Sequence, residues 1–227
     1  MSSEAQAKVH LWRIEDREYA RHEQRRGRRH AFTTIEPRRT ALIVIDMVPF
    51  FVAENEYCRG IVPNIGQLAD TLRDAGGTVA WVLPGAGEPS AVTDEFLGPD
   101  IAELFRRSGG EGPLAGRLWE EFEVHTGDIL VEKTAASAFF PGRCPLPSQL
   151  ETRGIDTVLI TGTVTNVCCE SSARDASTLG YRVVMVADAN AARRDEEHNA
   201  TLHTVYRSFG DVRPTAALLA MLTAPAP

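Results

Sequence analysis

Five short runs rich in Val, Ile and Leu alternate with helical segments along most of this chain. Apolar runs of this length are typical of strands that are buried on both faces. Between them, apolar residues recur at helical spacing, as at Ile65, Leu68 and Leu72. The alternation predicts an α/β fold with a mainly parallel sheet and helices on both faces. The predicted strands are 41–46, 78–83, 128–133, 156–162 and 182–187, and the predicted helices are 64–75, 167–179, 194–208 and 214–222.

The length of 227 residues is enough for one sizeable hydrophobic core, so a single domain over residues 41–227 is the simplest interpretation. The longest apolar runs are far too short to cross a bilayer, and the N-terminus lacks the apolar segment of a secretory signal. The sequence therefore predicts a cytoplasmic protein with no membrane partner. Its four cysteines include no C-x-x-C pair and are expected to be free thiols.

The first 40 residues differ from the rest of the chain in charge. They carry ten basic and six acidic side chains, whereas the remainder carries fourteen basic and twenty-five acidic ones. A basic run at 25–30 could contact nucleic acid, but the acidic remainder would repel phosphates. We therefore expect no nucleic-acid partner. Residues 1–40 are interpreted as a basic arm, helical over 9–26, that docks on its own body or on a partner subunit.

Two further stretches depart from the alternation of strands and helices. Residues 84–116 are rich in glycine and proline and predict a long loop around one short helix at about 100–107. We interpret this loop as a lid or pocket wall that decides which substrate fits. The last residues, 224–227, are expected to fray.

Three chemically reactive side chains follow separate predicted strands. Asp46 ends the first run, Lys133 ends the third, and Cys168 follows the fourth after a turn. Lys133 is one of only two lysines among 24 basic residues, the other being Lys8. Each of the three alone more often has a structural role, as a turn former, a solvated cation or a small core residue. Together they predict a site, because open α/β sheets place their sites at the carboxyl ends of strands.

The turn that holds Cys168 has the features of a helix start. Asn166 is expected to cap the helix, which places Cys168 in its first turn. There the helix dipole would stabilise a thiolate, and unpaired backbone N–H groups could bind an oxyanion. The thiol also needs a base. His198 and His203 are the histidines that could serve, but Asp46 is preferred because it lies at a strand end.

Three strings resemble those of the isochorismatase-like cysteine hydrolase superfamily. They are Ala41-Leu-Ile-Val-Ile-Asp46-Met47, Glu132-Lys133-Thr134 with Ser137-Ala-Phe139, and Gly162-Thr-Val-Thr-Asn-Val-Cys168-Cys-Glu-Ser-Ser-Ala-Arg-Asp-Ala176. The third string is the most specific, and the resemblance spans about residues 40–222. It implies a three-layer αβα sandwich, a homodimer or homotetramer, and a catalytic triad of Asp46, Lys133 and Cys168.

The resemblance also implies which groups stabilise the reaction. A cis peptide bond is expected at Thr163–Val164, and the N–H groups of Val164 and Cys168 are expected to form an oxyanion hole. Lys133 would keep the base oriented and balance its charge. The residues expected to contact a small-molecule substrate are Val164, Phe50, Phe51, Phe139 and Asn166.

Departures from the family pattern narrow the expected chemistry. Nicotinamidases of the family carry an Asp-x-His metal motif, but residues 81–88 contain no histidine, so no metal or other cofactor is expected. Isochorismatases typically have glycine where this chain has Cys168, and the retained thiol favours acyl chemistry. We therefore predict hydrolysis of a C–N bond in a small amide, ureide or carbamoyl substrate through a Cys168 thioester. The neighbouring Cys169 is expected to fill the core.

Two other functions are compatible with the sequence. One is isochorismatase-type hydrolysis of a vinyl ether, in which Asp46 is the acid and the thiol is dispensable. The other is a non-catalytic protein that binds or senses oxidation through Cys168 and Cys169. That role would require neither Asp46 nor Lys133.

Overall fold

A computed structural model describes residues 7–224 and contains one six-stranded sheet. Its strands are β1 (Thr40–Ile45), β2 (Thr78–Pro84), β3 (Ile129–Lys133), β4 (Thr157–Thr163), β5 (Arg182–Ala191) and β6 (Asp211–Arg213). Their order across the sheet is β3-β2-β1-β4-β5-β6, and every neighbouring pair is parallel. The predicted α/β class with a parallel sheet is therefore confirmed.

The α-helices of the described residues cover both faces of this sheet. They are α1 (Asp16–Arg26), α2 (Pro49–Val52), α3 (Glu56–Gly60), α4 (Val62–Asp74), α5 (Ala91–Leu97), α6 (Pro99–Arg106), α7 (Leu146–Thr152), α8 (Glu170–Thr178), α9 (Asp195–Ser208) and α10 (Thr215–Thr223). Buried residues of α7, α8 and α9 belong to the core on one face, and those of α4 and α10 belong to the core on the other. The chain is thus a three-layer αβα sandwich.

The central strand β1 shows why the predicted strands are apolar on both sides. Ala41, Ile43 and Ile45 pack in the core that contains α8, whereas Leu42 and Val44 pack in the core that contains α4. All five are at most 1% exposed. A strand covered on both faces has no solvent side on which polar residues could alternate, which accounts for its continuous apolar run.

The structure contains one strand, β6, and four α-helices, α2, α3, α5 and α7, that the sequence does not predict. Strand β6 has only three residues, too few for an apolar pattern to be recognised. Helix α5 has no buried residue, so packing against the core does not define it. Its limits are set at its two ends. Ser90 Oγ accepts a hydrogen bond from the Thr93 N–H at 3.4 Å, and the helix ends at Gly98, whose φ is 82°. The segment 84–116 accordingly carries two α-helices, α5 and α6, instead of one.

The N-terminal arm packs along the body of the same chain. Its helix begins at Asp16, so the predicted start at residue 9 is wrong. Residues 7–15 form no regular structure because they run across the body, where the Lys8 N–H donates to the Glu56 carbonyl at 3.0 Å. After the helix, the arm is held to the sheet by His30, whose Nδ1 lies 2.9 Å from Oδ1 of the buried Asp211.

Parts of two predictions lie outside the described residues. They are residues 1–6 of the arm and residues 225–227, for which fraying is expected. The division of the chain into an arm at 1–40 and a domain at 41–227 stays a prediction. Among residues 7–224, no helix is long and apolar enough to cross a membrane.

Candidate active site

Asp46 lies directly after β1 with its backbone in the left-handed region. Its φ of 55° is uncommon outside glycine, although Asp and Asn are the side chains that adopt it most readily. The turn is held by the Asp46 N–H, which donates to the Val82 carbonyl at 2.9 Å. The Val48 N–H in turn donates to the Asp46 carbonyl at 2.9 Å. This turn holds a carboxylate that is only 1% exposed at the carboxyl end of the central strand.

Lys133 ends β3 and forms a buried ion pair with Asp46. Its Nζ lies 2.9 Å from Asp46 Oδ2, 3.2 Å from the Ala135 carbonyl and 3.5 Å from Cys168 Sγ. Because β2 lies between β3 and β1 in the sheet, a long side chain is needed to reach across. The structure therefore brings the three predicted reactive groups into one cluster.

The ion pair determines the charge state of this cluster. Burial raises the pKa of Asp46 above its ordinary value, and Lys133 and the Cys168 thiol oppose the shift. Burial lowers the pKa of Lys133, but the charges of Asp46 and Cys168 outweigh burial, so its pKa is raised above its ordinary value. The pair is thus held as carboxylate and ammonium. Within the described residues, Asp46 Oδ1 has no hydrogen-bond partner of ordinary geometry, so it is free to accept a proton.

Cys168 lies in a π-helical turn that joins β4 to α8. The turn spans Thr165–Cys169 and has no side-chain cap, so the expected capping role of Asn166 is wrong. The physical reason is that the turn begins at Thr165, two residues before the predicted helix start at 167, which places the Asn166 backbone inside it. Its side chain is exposed and is not needed to hold the turn. Asn166 is therefore left at the surface of the turn that carries Cys168.

The thiol of Cys168 is protonated in the resting site. Burial, together with the negative charge of Asp46, raises its pKa to about 12, although Lys133 opposes the shift. The expected thiolate is therefore not the resting form, because burial and the carboxylate both favour the thiol. Such a thiol becomes a nucleophile when a base takes its proton during attack. The neighbouring Cys169 is fully buried in the core, as the sequence predicts.

The backbone on either side of Val164 is shaped by two unusual features. Gly162 has a φ of 109°, and a Cβ there would overlap the Ile45 carbonyl, so only glycine lets β4 pass β1 at this point. The peptide bond between Thr163 and Val164 is cis, which confirms the expectation from the resemblance. Within residues 7–224, the N–H groups of Val164 and Cys168 donate no turn or cap hydrogen bond. Backbone N–H groups next to a nucleophile are suited to binding an oxyanion.

The aromatic residues predicted to contact substrate lie in two different environments. Phe50 is 39% exposed, and its ring contacts those of Phe51 and of Phe105 on α6, at centroid distances of 4.9 and 5.9 Å. The segment interpreted as a lid therefore touches the chain that follows β1. Phe139 is fully buried and packs edge-on against Tyr181, which places it in the core instead of at an exposed wall.

Sequence reasoning missed the contact between the turn that carries Cys168 and α9. The Thr165 hydroxyl lies 3.0 Å from Nδ1 of His198, which is fully buried. His198 thus contacts the turn through Thr165 and has no hydrogen bond to Cys168. No local pattern could have indicated this contact, because it joins segments 33 residues apart. Among residues 7–224, no three His, Cys, Asp or Glu side chains come together in a way that could hold a metal ion.

The sequence of this chain matches the isochorismatase domain family over residues 40–217. The match includes all three residues of the cluster and most of the chain. The protein therefore belongs to the isochorismatase family and is a hydrolase of that family.

Two similar proteins are known from their sequences. The uncharacterized isochorismatase family protein YwoC of Bacillus subtilis is 34% identical over 189 residues, which cover 82% of this chain and 95% of YwoC. The ureidoacrylate amidohydrolase RutB of Rhizobium rhizogenes is 31% identical over 218 residues, which cover 86% of this chain and 87% of RutB.

Two similar proteins are known from their structures. A cysteine hydrolase from Pseudomonas syringae pv. phaseolicola has a TM-score of 0.73 and 26% identity, with 85% of this chain and 96% of that chain covered. The N-carbamoylsarcosine amidase of Thermoplasma acidophilum has a TM-score of 0.64 and 27% identity, with 78% of this chain and 96% of that chain covered.

Proposed function

We propose that this protein hydrolyses a C–N bond of a small amide, ureide or carbamoyl compound through a thioester on Cys168. The proposal rests chiefly on the position of Lys133 Nζ, 2.9 Å from Asp46 and 3.5 Å from the Cys168 sulfur. Burying a charged pair is costly, and apolar side chains of the same volume often serve stability as well or better. A catalytic role accounts for a carboxylate, an ammonium and a thiol in mutual contact.

Formation of the thioester begins when Asp46 takes the Cys168 proton as the sulfur attacks the carbonyl carbon. The carbonyl electron pair moves onto the oxygen, which the N–H groups of Val164 and Cys168 stabilise. One such donor is worth about 2.7–4 kcal/mol in the transition state. The tetrahedral intermediate then collapses, the C–N bond breaks, and Asp46 donates its proton to the leaving nitrogen.

Hydrolysis of the thioester repeats these steps with water as the nucleophile. Asp46 takes a proton from the water, whose oxygen attacks the thioester carbonyl. The same N–H groups stabilise the second oxyanion. The C–S bond then breaks, and the proton held by Asp46 returns to the sulfur. Lys133 keeps the carboxylate in place and offsets the charge that develops in both steps.

The relatives support the proposed substrate class. Ureidoacrylate amidohydrolase and N-carbamoylsarcosine amidase are named for substrates that carry a ureido or an N-carbamoyl group. Both groups place a carbonyl carbon next to nitrogen, as the proposed attack requires. We also propose that the substrate is a small molecule bound near Phe50 and Phe51, and that the enzyme is a homodimer or homotetramer.

One observation favours a second candidate, hydrolysis of a vinyl ether of the isochorismate type. In that reaction the protonated form of Asp46, which the raised pKa makes more accessible, would donate a proton to a substrate carbon without help from the thiol. The two candidates differ in their need for Cys168. Only the amide reaction requires a covalent intermediate.

A substrate panel tests the proposed function. Wild type and Cys168→Ala would each be incubated with simple ureido acids, N-carbamoyl amino acids and primary amides, and released ammonia would be measured. Isochorismate would be included, with pyruvate as the measured product. Release of ammonia that is lost in the variant supports the proposal. Turnover of isochorismate alone, unchanged in the variant, would favour the vinyl-ether reaction.

The pH dependence of kcat/KM is expected to have a single acid limb set by Asp46. The free enzyme needs the Asp46 carboxylate as base, and its pKa lies above the ordinary value of about 4. Activity should therefore fall tenfold per pH unit below that raised pKa and stay level from neutral pH to about pH 9. A thiolate-dependent rate would instead rise tenfold per unit toward the Cys168 pKa of about 12. Steady-state rates between pH 4 and pH 9 distinguish the two profiles.

A further inference from the structure

The ring of His10, in the N-terminal arm, lies between two other rings of the protein body. On one side it stacks on Tyr57 of α3, with centroids 3.9 Å apart and an interplanar angle of 7°. On the other side it stacks on His198 of α9, at 4.2 Å and 13°. His10 is only 3% exposed. A residue of the arm thus fills the gap between two helices of the body.

Hydrogen bonds fix the orientation of the His10 ring. Its Nδ1 lies 2.7 Å from Asp195 Oδ1, and its Nε2 lies 3.0 Å from the Ala192 backbone N–H, which donates to it. Because Nε2 accepts a hydrogen bond, the ring proton is on Nδ1, which donates a hydrogen bond to the carboxylate. Both ring nitrogens are therefore satisfied, and the ring has one defined position.

The two rings that stack on His10 belong to helices that contact the catalytic turn. His198 lies 3.0 Å from the Thr165 hydroxyl through Nδ1. Cys58, which follows Tyr57 in sequence, lies 3.3 Å from the Thr163 hydroxyl through Sγ. Thr163 and Thr165 are the residues on either side of Val164. The hydroxyl groups that flank this peptide are thus held by α3 on one side and by α9 on the other.

We propose that His10 is a positioning residue for the oxyanion-binding turn, acting through Tyr57 and His198. This inference rests on the proposed function, because it assigns the Val164 N–H to the oxyanion. His10 sets the spacing of α3 and α9, and this spacing sets the position of the Val164 peptide. A donor must lie within a few tenths of an ångström of its place to stabilise a transition state, so a small shift of the turn lowers the rate.

The path of the arm supports this role. The Lys8 N–H donates to the Glu56 carbonyl at 3.0 Å, which ties the arm to the start of α3. A Cβ at Gly60, at the other end of α3, would overlap the Lys8 carbonyl, so the arm passes directly over the helix. On the opposite side, the Arg13 N–H donates to Asn199 Oδ1 of α9 at 2.7 Å. The arm therefore bridges the same two helices that hold the catalytic turn.

The test compares two reactions of Cys168 that differ in their need for the oxyanion hole. Acylation by p-nitrophenyl acetate passes through an oxyanion, whereas alkylation by iodoacetamide does not. Both rates would be followed by intact-protein mass for wild type, His10→Ala and His10→Phe. His30→Ala is the matched control, because His30 is also an arm histidine paired with an aspartate but contacts β6.

His10→Ala is expected to slow acylation about 10- to 100-fold while leaving the alkylation rate close to that of wild type. His10→Phe keeps both ring stacks and should be acylated faster than His10→Ala. The control His30→Ala should leave both rates unchanged, even if it lowers the melting temperature. Should His10→Ala fail to fold, Tyr57→Leu removes the other side of the stack and is expected to show the same selective loss.

Several outcomes would overturn the inference. Equal acylation rates for wild type and His10→Ala would show that the arm does not position the turn. An equal loss of acylation and alkylation, or an equal loss in His30→Ala, would indicate a general structural effect. A wild type that forms no acyl adduct, or forms as much in Cys168→Ala, would refute the proposed function itself. The two failures are thus distinguishable.

Discussion

Replacement of Cys168 by alanine is expected to lower turnover of any C–N substrate by about 10⁴- to 10⁶-fold, as removal of a catalytic nucleophile does. The oxyanion donors and the Asp46–Lys133 pair stay in place in this variant, but no thioester can form. The residual rate would be that of water attacking a bound substrate. The measurement is kcat/KM for the best substrate of the panel, with background hydrolysis subtracted.

The adjacent cysteine provides a matched control for this experiment. Cys169→Ala removes the same thiol group one residue later, from a side chain fully buried in the core. It is expected to cost about 1 kcal/mol of stability and to leave kcat/KM within a few-fold of wild type. Comparable losses of activity in the two variants would contradict a specific role for Cys168.

Replacement of Asp46 by asparagine is expected to abolish turnover and also to destabilise the fold. Asparagine has the shape of aspartate and tolerates the φ of 55° at this position, so the backbone turn is preserved. The base is lost, and Lys133 is left buried and charged without its partner. Removing one member of a buried ion pair typically costs about 3–5 kcal/mol. Urea unfolding at neutral pH would measure the change in the free energy of unfolding.

A double variant separates the catalytic from the structural contribution of the pair. Lys133→Met alone leaves the Asp46 carboxylate buried and unpaired, and should lose a similar amount of stability. In Asp46→Asn/Lys133→Met no uncompensated charge remains, so most of the stability is expected to return, whereas activity should not. If the stability losses of the two single variants add in the double variant, Asp46 and Lys133 do not stabilise each other as an ion pair. Any recovery of activity in the double variant would contradict the assignment of Asp46 as base.

The sequence predicts the sheet well because the sheet is buried on both faces. In β1 every residue is covered, so the apolar run is continuous and its limits are clear. The same reasoning fails for α5, which has no buried residue and is set by Ser90 and Gly98 at its ends. It also fails for β6, whose three residues pair with β5 only because the sheet is already present.

The candidate site could be predicted only in part from the sequence. Asp46, Lys133 and Cys168 follow separate strands, and parallel strands bring their carboxyl ends to one edge, so their proximity could be predicted. The charge state of the thiol could not, because it depends on burial and on a carboxylate distant in sequence. The stacking contact between His10 and His198 could not be predicted either, because it depends on the path of the arm across the body.

The most direct test of the central claim is mass spectrometry of the enzyme quenched during a single turnover. Wild type would be mixed with its best carbamoyl or amide substrate, quenched in acid and digested. The account predicts an added mass equal to the acyl part of the substrate on the peptide that contains Cys168, decaying as product forms. Full turnover with no adduct on that peptide, at a rate that Cys168→Ala retains, would contradict it.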